Sequence, residues 1–225
     1  MGVPELPVSF TDTAGPFAGM RLLDRERWHD GNYGTKLIGS YEHELHRVIE
    51  IAVRRDPATI VNVGCAEGFY AVGMAMLCPR AQVIAYDVDG ESLALCREAA
   101  LLNGVGGRVA TLDGIRSTSQ LAAGRHRRLL IVDCEGSEAF LLDPRRCPSL
   151  AQSDLIVECH DYLRPGTSDT LVERFGRTYI VGWIEPGPPP VGAYPFLASL
   201  PFGVLMEAIT EKRPPGTLWM VAWAT

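Results

Sequence analysis

An α/β fold on a doubly wound, mostly parallel sheet is what this sequence predicts, and three observations carry that prediction. Short apolar runs suited to buried strands alternate with longer runs at helical spacing through most of the 225 residues. Successive strand-like runs end in a glycine or an acid, at Gly64, Asp87, Asp113, Asp133 and the stretch Glu158 to Asp161. One strand, glycine turn, helix, strand and terminal acid are complete between Ile60 and Asp87. Sheets of this kind bind ligands beyond the carboxyl ends of their strands, so the chemistry is expected at those ends. The opposing explanation is that strand-end acids form turns or cap helices, and it applies more readily to Asp113 than to Asp133.

Taken in order, residues 1–35 are rich in Pro and Gly and read as an irregular N-terminal arm. Gly39 to Arg55 reads as a helix. Ser40 can cap it, Glu42 and Glu44 suit its positive end, and Arg54 and Arg55 suit its negative end. Leu45, Val48, Ile49 and Ala52 give it an apolar face. Strand 60–63, helix 67–77, strand 82–86 and helix 90–102 follow, the last stopped by Asn103-Gly104. Arg108 to Leu112 reads as a strand ending in Asp113-Gly114, and Leu129 to Val132 as one ending in Asp133. Glu135 to Leu142 is a short helix stopped by Pro144. Asp154 to Val157 is a strand that runs into Glu158-Cys159-His160-Asp161, and Thr167 to Phe175 is a helix. Thr178 to Ile184 and Leu218 to Trp223 are two final strands, read as an antiparallel C-terminal pair. The expectation is one domain over 1–225, with a Pro-rich flap at 185–217 inserted before the last strand.

Composition narrows the function classes. Apolar residues at 47% and charged residues at 21% suit a globular core. A formal charge of −6 argues against nucleic acid or an anionic membrane as the main partner. No apolar stretch reaches the ~20 residues of a membrane span. Met1-Gly2-Val3-Pro4-Glu5 lacks the basic start and apolar core of a secretory signal. Cys65, Cys78, Cys96, Cys134, Cys147 and Cys159 form no C-x-x-C pair, and several sit in strand-like runs. They read as small buried hydrophobes in a reducing cytoplasm.

The loop after the first buried strand, Gly64-Cys65-Ala66-Glu67-Gly68, points to an adenosine-type cofactor. Glycines let the backbone turn sharply and approach a ligand closely. Asp87 lies 23 positions beyond Gly64, where a carboxylate can accept hydrogen bonds from both ribose hydroxyls. Dinucleotide enzymes use G-x-G-x-x-G to meet a pyrophosphate. Here the spacing is G-x-x-x-G with Glu67 inside it, and a carboxylate there repels a pyrophosphate. It suits a cationic ligand such as S-adenosylmethionine, with its ammonium and sulfonium groups.

At these residues the chain resembles the class I S-adenosylmethionine-dependent methyltransferases, and within them the FkbM-like family. Four segments carry the resemblance. They are Gly39-Ser40-Tyr41-Glu42, Asn62-Val63-Gly64-Cys65-Ala66-Glu67-Gly68-Phe69-Tyr70, Asp133-Cys134-Glu135-Gly136-Ser137-Glu138 and Val157-Glu158-Cys159-His160. The resemblance implies the Rossmann-like methyltransferase fold and O-methylation of hydroxyls on natural products and sugars. It implies that Gly64, Glu67 and Gly68 line the methionine part of the cofactor and that Asp87 binds the ribose. It puts Asp113 and Gly114 at the adenine end, and has Ser40 and Glu42 close over the cofactor. Asn62, Tyr70, Val88 and Asp133 complete the implied cofactor contacts. Asn62 stands where the class more often has aspartate.

The residues themselves leave the acceptor chemistry open between three roles. Methyl transfer is an in-line displacement that needs a positioned nucleophile and a group to take its proton. Asp133 and His160 end neighbouring strands, and His160 is the better base because its pKa lies near neutrality. Alternatively Asp133, Glu158 and His160 bind a divalent cation such as Mg²⁺, which lowers the pKa of a substrate hydroxyl. In the third role Glu158 caps a turn and His160 bonds a backbone carbonyl.

Other features carry less. His43 and His46 read as exposed polar residues on one helix, and Arg125-His126-Arg127-Arg128 as a solvated loop before a strand. The 185–217 stretch is long for a connection, and its Tyr194, Phe196, Leu197, Leu200 and Phe202 are too apolar for a free linker. It reads as a flap over an acceptor or against a partner subunit, which leaves a homo-oligomer open, and the Trp28 to Tyr33 arm reads the same way. Two other functions compete. The missing G-x-G-x-x-G argues against a nicotinamide-dependent oxidoreductase, and a non-catalytic S-adenosylmethionine-binding protein would keep the loop without the chemistry.

Overall fold

A computed structural model describes residues 9–11, 14–24, 32–122, 127–194, 206, 209–211 and 213–225. The elements are β1 (Ser9–Thr11), β2 (Arg21–Leu23), α1 (Tyr33–Ile38), α2 (His46–Arg54), β3 (Thr59–Val63), α3 (Phe69–Leu77), β4 (Gln82–Asp87) and α4 (Gly90–Leu102). Then come β5 (Val109–Asp113), β6 (Arg128–Val132), α5 (Glu138–Leu141), β7 (Ser153–Cys159), α6 (Thr167–Phe175), β8 (Tyr179–Ile184) and β9 (Leu218–Ala224). Seven strands form one sheet in the order β5-β4-β3-β6-β7-β9-β8. The first five are parallel, and β9 runs antiparallel between β7 and β8. This is the Rossmann-like methyltransferase fold with the expected antiparallel C-terminal pair.

Strand periodicity divides the core between two faces of the sheet. Ile60, Leu129, Ile131, Ile156, Trp219 and Val221 pack toward α2, α3 and α4. Val61, Val63, Leu130, Val132, Leu155, Val157 and Met220 pack with Leu141 of α5 and with Leu171 and Phe175 of α6. Every residue of β3 and β6 is buried, as expected of central parallel strands covered on both faces. Among the described residues, no helix is long and apolar enough to cross a membrane. The cysteines are free thiols, all buried except the partly buried Cys134.

The N-terminal third departs from the sequence reading. β1 and β2 pair antiparallel inside the arm expected to be irregular. Asn103, the expected stop of α4, accepts from Arg21 N–H and donates to its carbonyl, both at 2.8 Å, which ties β2 to that helix end. The helix expected over 39–55 starts at His46, after a 3₁₀ turn at 43–45. A separate α1 precedes it and ends at Gly39, whose φ of 72° lets the chain turn back. Ser40 and Tyr41 N–H then donate to Thr35 O at 2.8 and 3.1 Å. Glu42, with φ 47°, cannot continue a right-handed helix. Ser40 therefore caps nothing, and its Oγ has no hydrogen-bond partner.

Smaller corrections follow from packing. His43 and His46 are partly buried rather than exposed, with His46 Nε2 3.3 Å from Tyr41 O. Arg128, expected in a solvated loop, is buried in β6 and donates to Ser149 O at 2.9 Å. Arg125 and His126 lie outside the described residues, as do Trp28 to Gly31 of the arm and Phe196, Leu197, Leu200 and Phe202 of the flap.

The turn after β3 sets the geometry of the strand ends. Gly64 has φ 74°, and a β-carbon there would lie 1.6 Å from Asp133 O. Gly64→Ala is therefore expected to cost at least about 3 kcal/mol in urea unfolding, through strain and displaced backbone. Gly90→Ala, where an added β-carbon meets nothing within 4 Å, serves as the control and should change stability by less than ~1 kcal/mol.

Candidate active site

The carboxyl ends of β3, β4, β6 and β7 converge on one cleft, beneath α1 and the turn that follows it. Gly64 and Cys65 N–H both donate to Tyr86 O, at 2.8 and 3.0 Å, which folds the glycine loop over the end of β4. Asp87 is buried at that end. Its Oδ2 accepts from Ala66 N–H at 2.8 Å and its Oδ1 from Asp89 N–H at 2.9 Å, so its carboxylate also holds the loop. In the parallel register Asp87 lies beside Asp113, and Gly114 N–H donates to Asp87 O at 2.8 Å. Val88 is 85% exposed beside Gly114 and offers a bare apolar face next to these acids. Asp113 is exposed and pairs with Arg116 at 2.7 Å.

Glu67 takes a partner that its sequence position did not indicate. Lys36 of α1 reaches its carboxylate at 2.5 Å, and the Lys36 ammonium also lies 4.9 Å from the centre of the Tyr41 ring. The loop charge is thus balanced from within the protein. Glu67, Gly68 and Lys36 line a small cavity of about 30 Å³ with Leu22 and Ala99.

A second group gathers around Arg213, which arrives from the segment before β9. Its Nη1 donates to Glu158 Oε1 at 2.5 Å, its Nε to Glu211 Oε2 at 2.9 Å and its Nη2 to Glu42 Oε1. Glu42 also accepts from the Tyr70 hydroxyl, and its own N–H donates to Glu211 Oε1 at 2.7 Å. Burial, and then the Glu42 charge, push the Tyr70 phenol well up, so it stays protonated and acts as a donor. Arg213 also stacks over Trp219, 5.7 Å from the ring centre. Burial works against the guanidinium charge, but Glu42 and Glu158 outweigh it.

Beside this group stand the three residues chosen from the sequence for catalysis. His160 is buried, with Nε2 3.5 Å from Asp133 Oδ1, 3.6 Å from Glu135 Oε2 and 3.7 Å from Glu158 Oε2. Its Nδ1 lies 2.8 Å from Glu138 Oε1. One ligand atom each from Asp133, Glu158 and His160 lie within 4.8 Å of one another, so the set could hold a cation. Burial and neighbouring negative charge push the Glu158 carboxyl up, and burial raises Asp133 against the pull of His160. Burial also opposes charge on His160, but the bond to Glu138 and the surrounding carboxylates raise it above its ordinary value.

An S-adenosyl ligand can be tested against the residues present. Asn62 Oδ1 and Ser40 Oγ are buried polar atoms without a partner. Asn62 spends its Nδ2 on Ile131 O at 3.3 Å, which leaves the oxygen to accept from an ammonium group. Gly64 lacks the β-carbon that would block the turn. Asp87 keeps a buried carboxylate at the end of β4, a group that can accept from hydroxyls. These donor and acceptor types fit the cofactor.

Sequence reasoning missed Arg213, Glu211, Lys36 and the role of Glu138. Glu138 had a signal in the Asp-x-Glu-Gly-x-Glu block. Arg213 had none, because its partner Glu42 is 171 positions away.

No protein-family model matches the chain, and no curated protein matches it. Solved structures resemble it in fold. A candidate O-methyltransferase from Klebsiella pneumoniae has a TM-score of 0.57 and 14% identity, over 89% of this chain and 84% of that one. An O-methyltransferase from Bacillus cereus, solved in complex with S-adenosylhomocysteine, has a TM-score of 0.52 and 10% identity, over 78% of each chain. An rRNA methylase from Streptococcus thermophilus has a TM-score of 0.54 and 12% identity, over 81% of this chain and 97% of that one. At such identities the likeness shows the fold alone.

The cleft also carries a pH signature. Burial pushes the Glu44 carboxyl up to about 7, and its Oε1 has no partner. Between its ordinary 4.5 and about 7 the folded chain holds that proton more tightly than the unfolded chain. Stability therefore falls as pH rises through that window. Glu44→Gln removes the fall. By thermal unfolding it should match the wild type near pH 4.5 and exceed it by ~1–3 kcal/mol at pH 8; an equal difference at both pH values would deny the shift.

Proposed function

We propose that this protein is an S-adenosylmethionine-dependent methyltransferase of the FkbM-like family that methylates a hydroxyl on a small molecule such as a natural product or sugar. The observation that carries this reading is the juxtaposition of a glycine loop and ribose-type acid on β3 and β4 with a buried histidine among carboxylates on β6 and β7. Buried, unpartnered Asn62 Oδ1 and Ser40 Oγ between them support a polar ligand at that place. The formal charge of −6 and the acid-rich cleft favour a small acceptor over nucleic acid.

S-adenosylmethionine supplies, when bound, a methyl group made electrophilic by its sulfonium. The chain holds Asp87 for the ribose and Asn62 and Ser40 for the amino-acid end. Val88 and Gly114 give the adenine an open apolar seat, with Asp113 at its edge. His160 Nε2 takes the proton of the acceptor hydroxyl as its oxygen attacks, and the neighbouring Asp133 carboxylate stabilises the imidazolium that results. Exclusion of water rests on Tyr70, Glu42 and Arg213, which close the cleft from the side of α1.

A second reading keeps the same residues but makes Asp133, Glu158 and His160 ligands of Mg²⁺, because their ligand atoms lie so close together. The cation would polarise the acceptor hydroxyl and lower its pKa.

Titration calorimetry separates the cofactor classes: S-adenosylmethionine should bind in the micromolar range and NAD should not bind. Asp87→Ala should weaken that binding roughly ten- to a hundredfold, the loss of one charge-assisted contact. Unchanged affinity would remove Asp87 from the site.

His160→Ala and Asp133→Ala should each lower turnover by about 10²–10⁴ in a methyl-transfer screen of hydroxylated metabolites, with cofactor affinity nearly intact. Full activity in EDTA would eliminate the metal reading and leave His160 as the base. Loss in EDTA with recovery in Mg²⁺ would support the metal reading.

A further inference from the structure

The geometry points to Glu138 as the positioning residue of the site: it fixes His160 in the tautomer protonated at Nδ1 and turns Nε2 toward the gap between Asp133, Glu135 and Glu158. This rests on the reading of His160 as the residue that faces the acceptor. Glu138 opens α5 and has no exposed surface; its Oε2 is buried without a hydrogen-bond partner, so its bonding is concentrated on Oε1. Oε1 faces three N–H donors at once, His160 Nδ1 at 2.8 Å, Gly136 N–H at 3.0 Å and Cys134 N–H at 3.3 Å, with the Cys134 thiol at 3.6 Å. Left-handed Glu135 and Gly136, at φ 52° and 92°, curl the backbone so that both amides point back at this oxygen.

Two amides aimed at one oxygen make it an acceptor. The imidazole nitrogen that meets it must then carry its hydrogen. A neutral His160 has only one N–H, so Nε2 is left with its lone pair. The groups that face Nε2 are Asp133 at the end of β6, Glu135 in the turn and Glu158 of β7, at 3.5–3.7 Å. Arg213 is bound to the far oxygen of Glu158, and the Tyr162 ring packs at 5.8 Å. All three carboxylates stand beyond ordinary hydrogen-bond length from Nε2, so its lone pair is directed among them without a close partner.

This makes a prediction about a single ring that needs no acceptor. In ¹H–¹⁵N spectra of the whole protein with bound S-adenosylhomocysteine, at a pH where the ring is neutral, His160 should appear as the Nδ1–H tautomer. His160→Asn provides the assignment. Glu138→Gln should preserve that tautomer, because the same two amides keep the carboxamide oxygen facing the ring. Glu138→Ala should shift the ring to mostly Nε2–H, the tautomer usual in water, while S-adenosylhomocysteine affinity stays within about twofold. An Nε2–H signal in the wild type overturns the proposal, and so does Nδ1–H persisting in Glu138→Ala. Should Glu138→Ala fail to fold, the wild type and Glu138→Gln decide. A chain that shows the Nδ1–H tautomer without binding S-adenosylhomocysteine would refute the functional reading and leave the positioning role standing.

Discussion

Between the turn after β3 and the end of β6 there is no room for a β-carbon, and the architecture of the cleft follows from that contact. Gly64 lies against the carbonyl of Asp133 in a left-handed conformation. Just beneath it, Asp133 N–H donates to Val63 O at 2.9 Å. The ligand loop of one strand and the acidic end of its neighbour are thus joined backbone to backbone. Asp87 fixes the loop's other side through Ala66 N–H. With both sides held, the loop and the strand-end carboxylates have a fixed spacing that owes nothing to side-chain flexibility.

The second organising force is the excess of negative charge. Glu42, Glu158 and Glu211 crowd one guanidinium, and Asp133, Glu135 and Glu138 surround one imidazole. Burial first, and then the crowding of like charges, pushes the Glu158 and Asp133 carboxyls up. Such a cleft is poised to accept positive charge, whether from a sulfonium ligand or from a cation at Asp133, Glu158 and His160. It also repels phosphate and carboxylate groups.

The parallel core was legible in the sequence because its strands are covered on both faces and so read as largely apolar runs, as at Leu129 to Val132. The strand-end groups were legible because the strands were: Asp87, Asp133, Glu158 and His160 sit one to three residues beyond a recognisable run. The N-terminal turn was not. Glu42 takes a left-handed φ that nothing in Ser40-Tyr41-Glu42 signals, since the bonds that hold it come from Glu211 and Arg213 at the far end of the chain. Local pattern therefore favoured a helix that tertiary contacts override. The partner of Glu67 was hidden for a similar reason, because Lys36 belongs to a helix inside a Pro- and Gly-rich arm.

Arg213 joins the turn at Glu42, the end of β7 at Glu158 and the strand that follows it, contacts 171 and 55 positions apart along the chain. Loop closure over such distances is slow compared with pairing of neighbouring strands. During synthesis β3 to β7 can pair and bury their faces while the turn at Glu42 still lacks its guanidinium. The acid-rich pocket therefore matures last, and no partial chain emerging from the ribosome can present it in finished form. A protein assembled in this order keeps this pocket incomplete until the segment that carries Arg213 has been made.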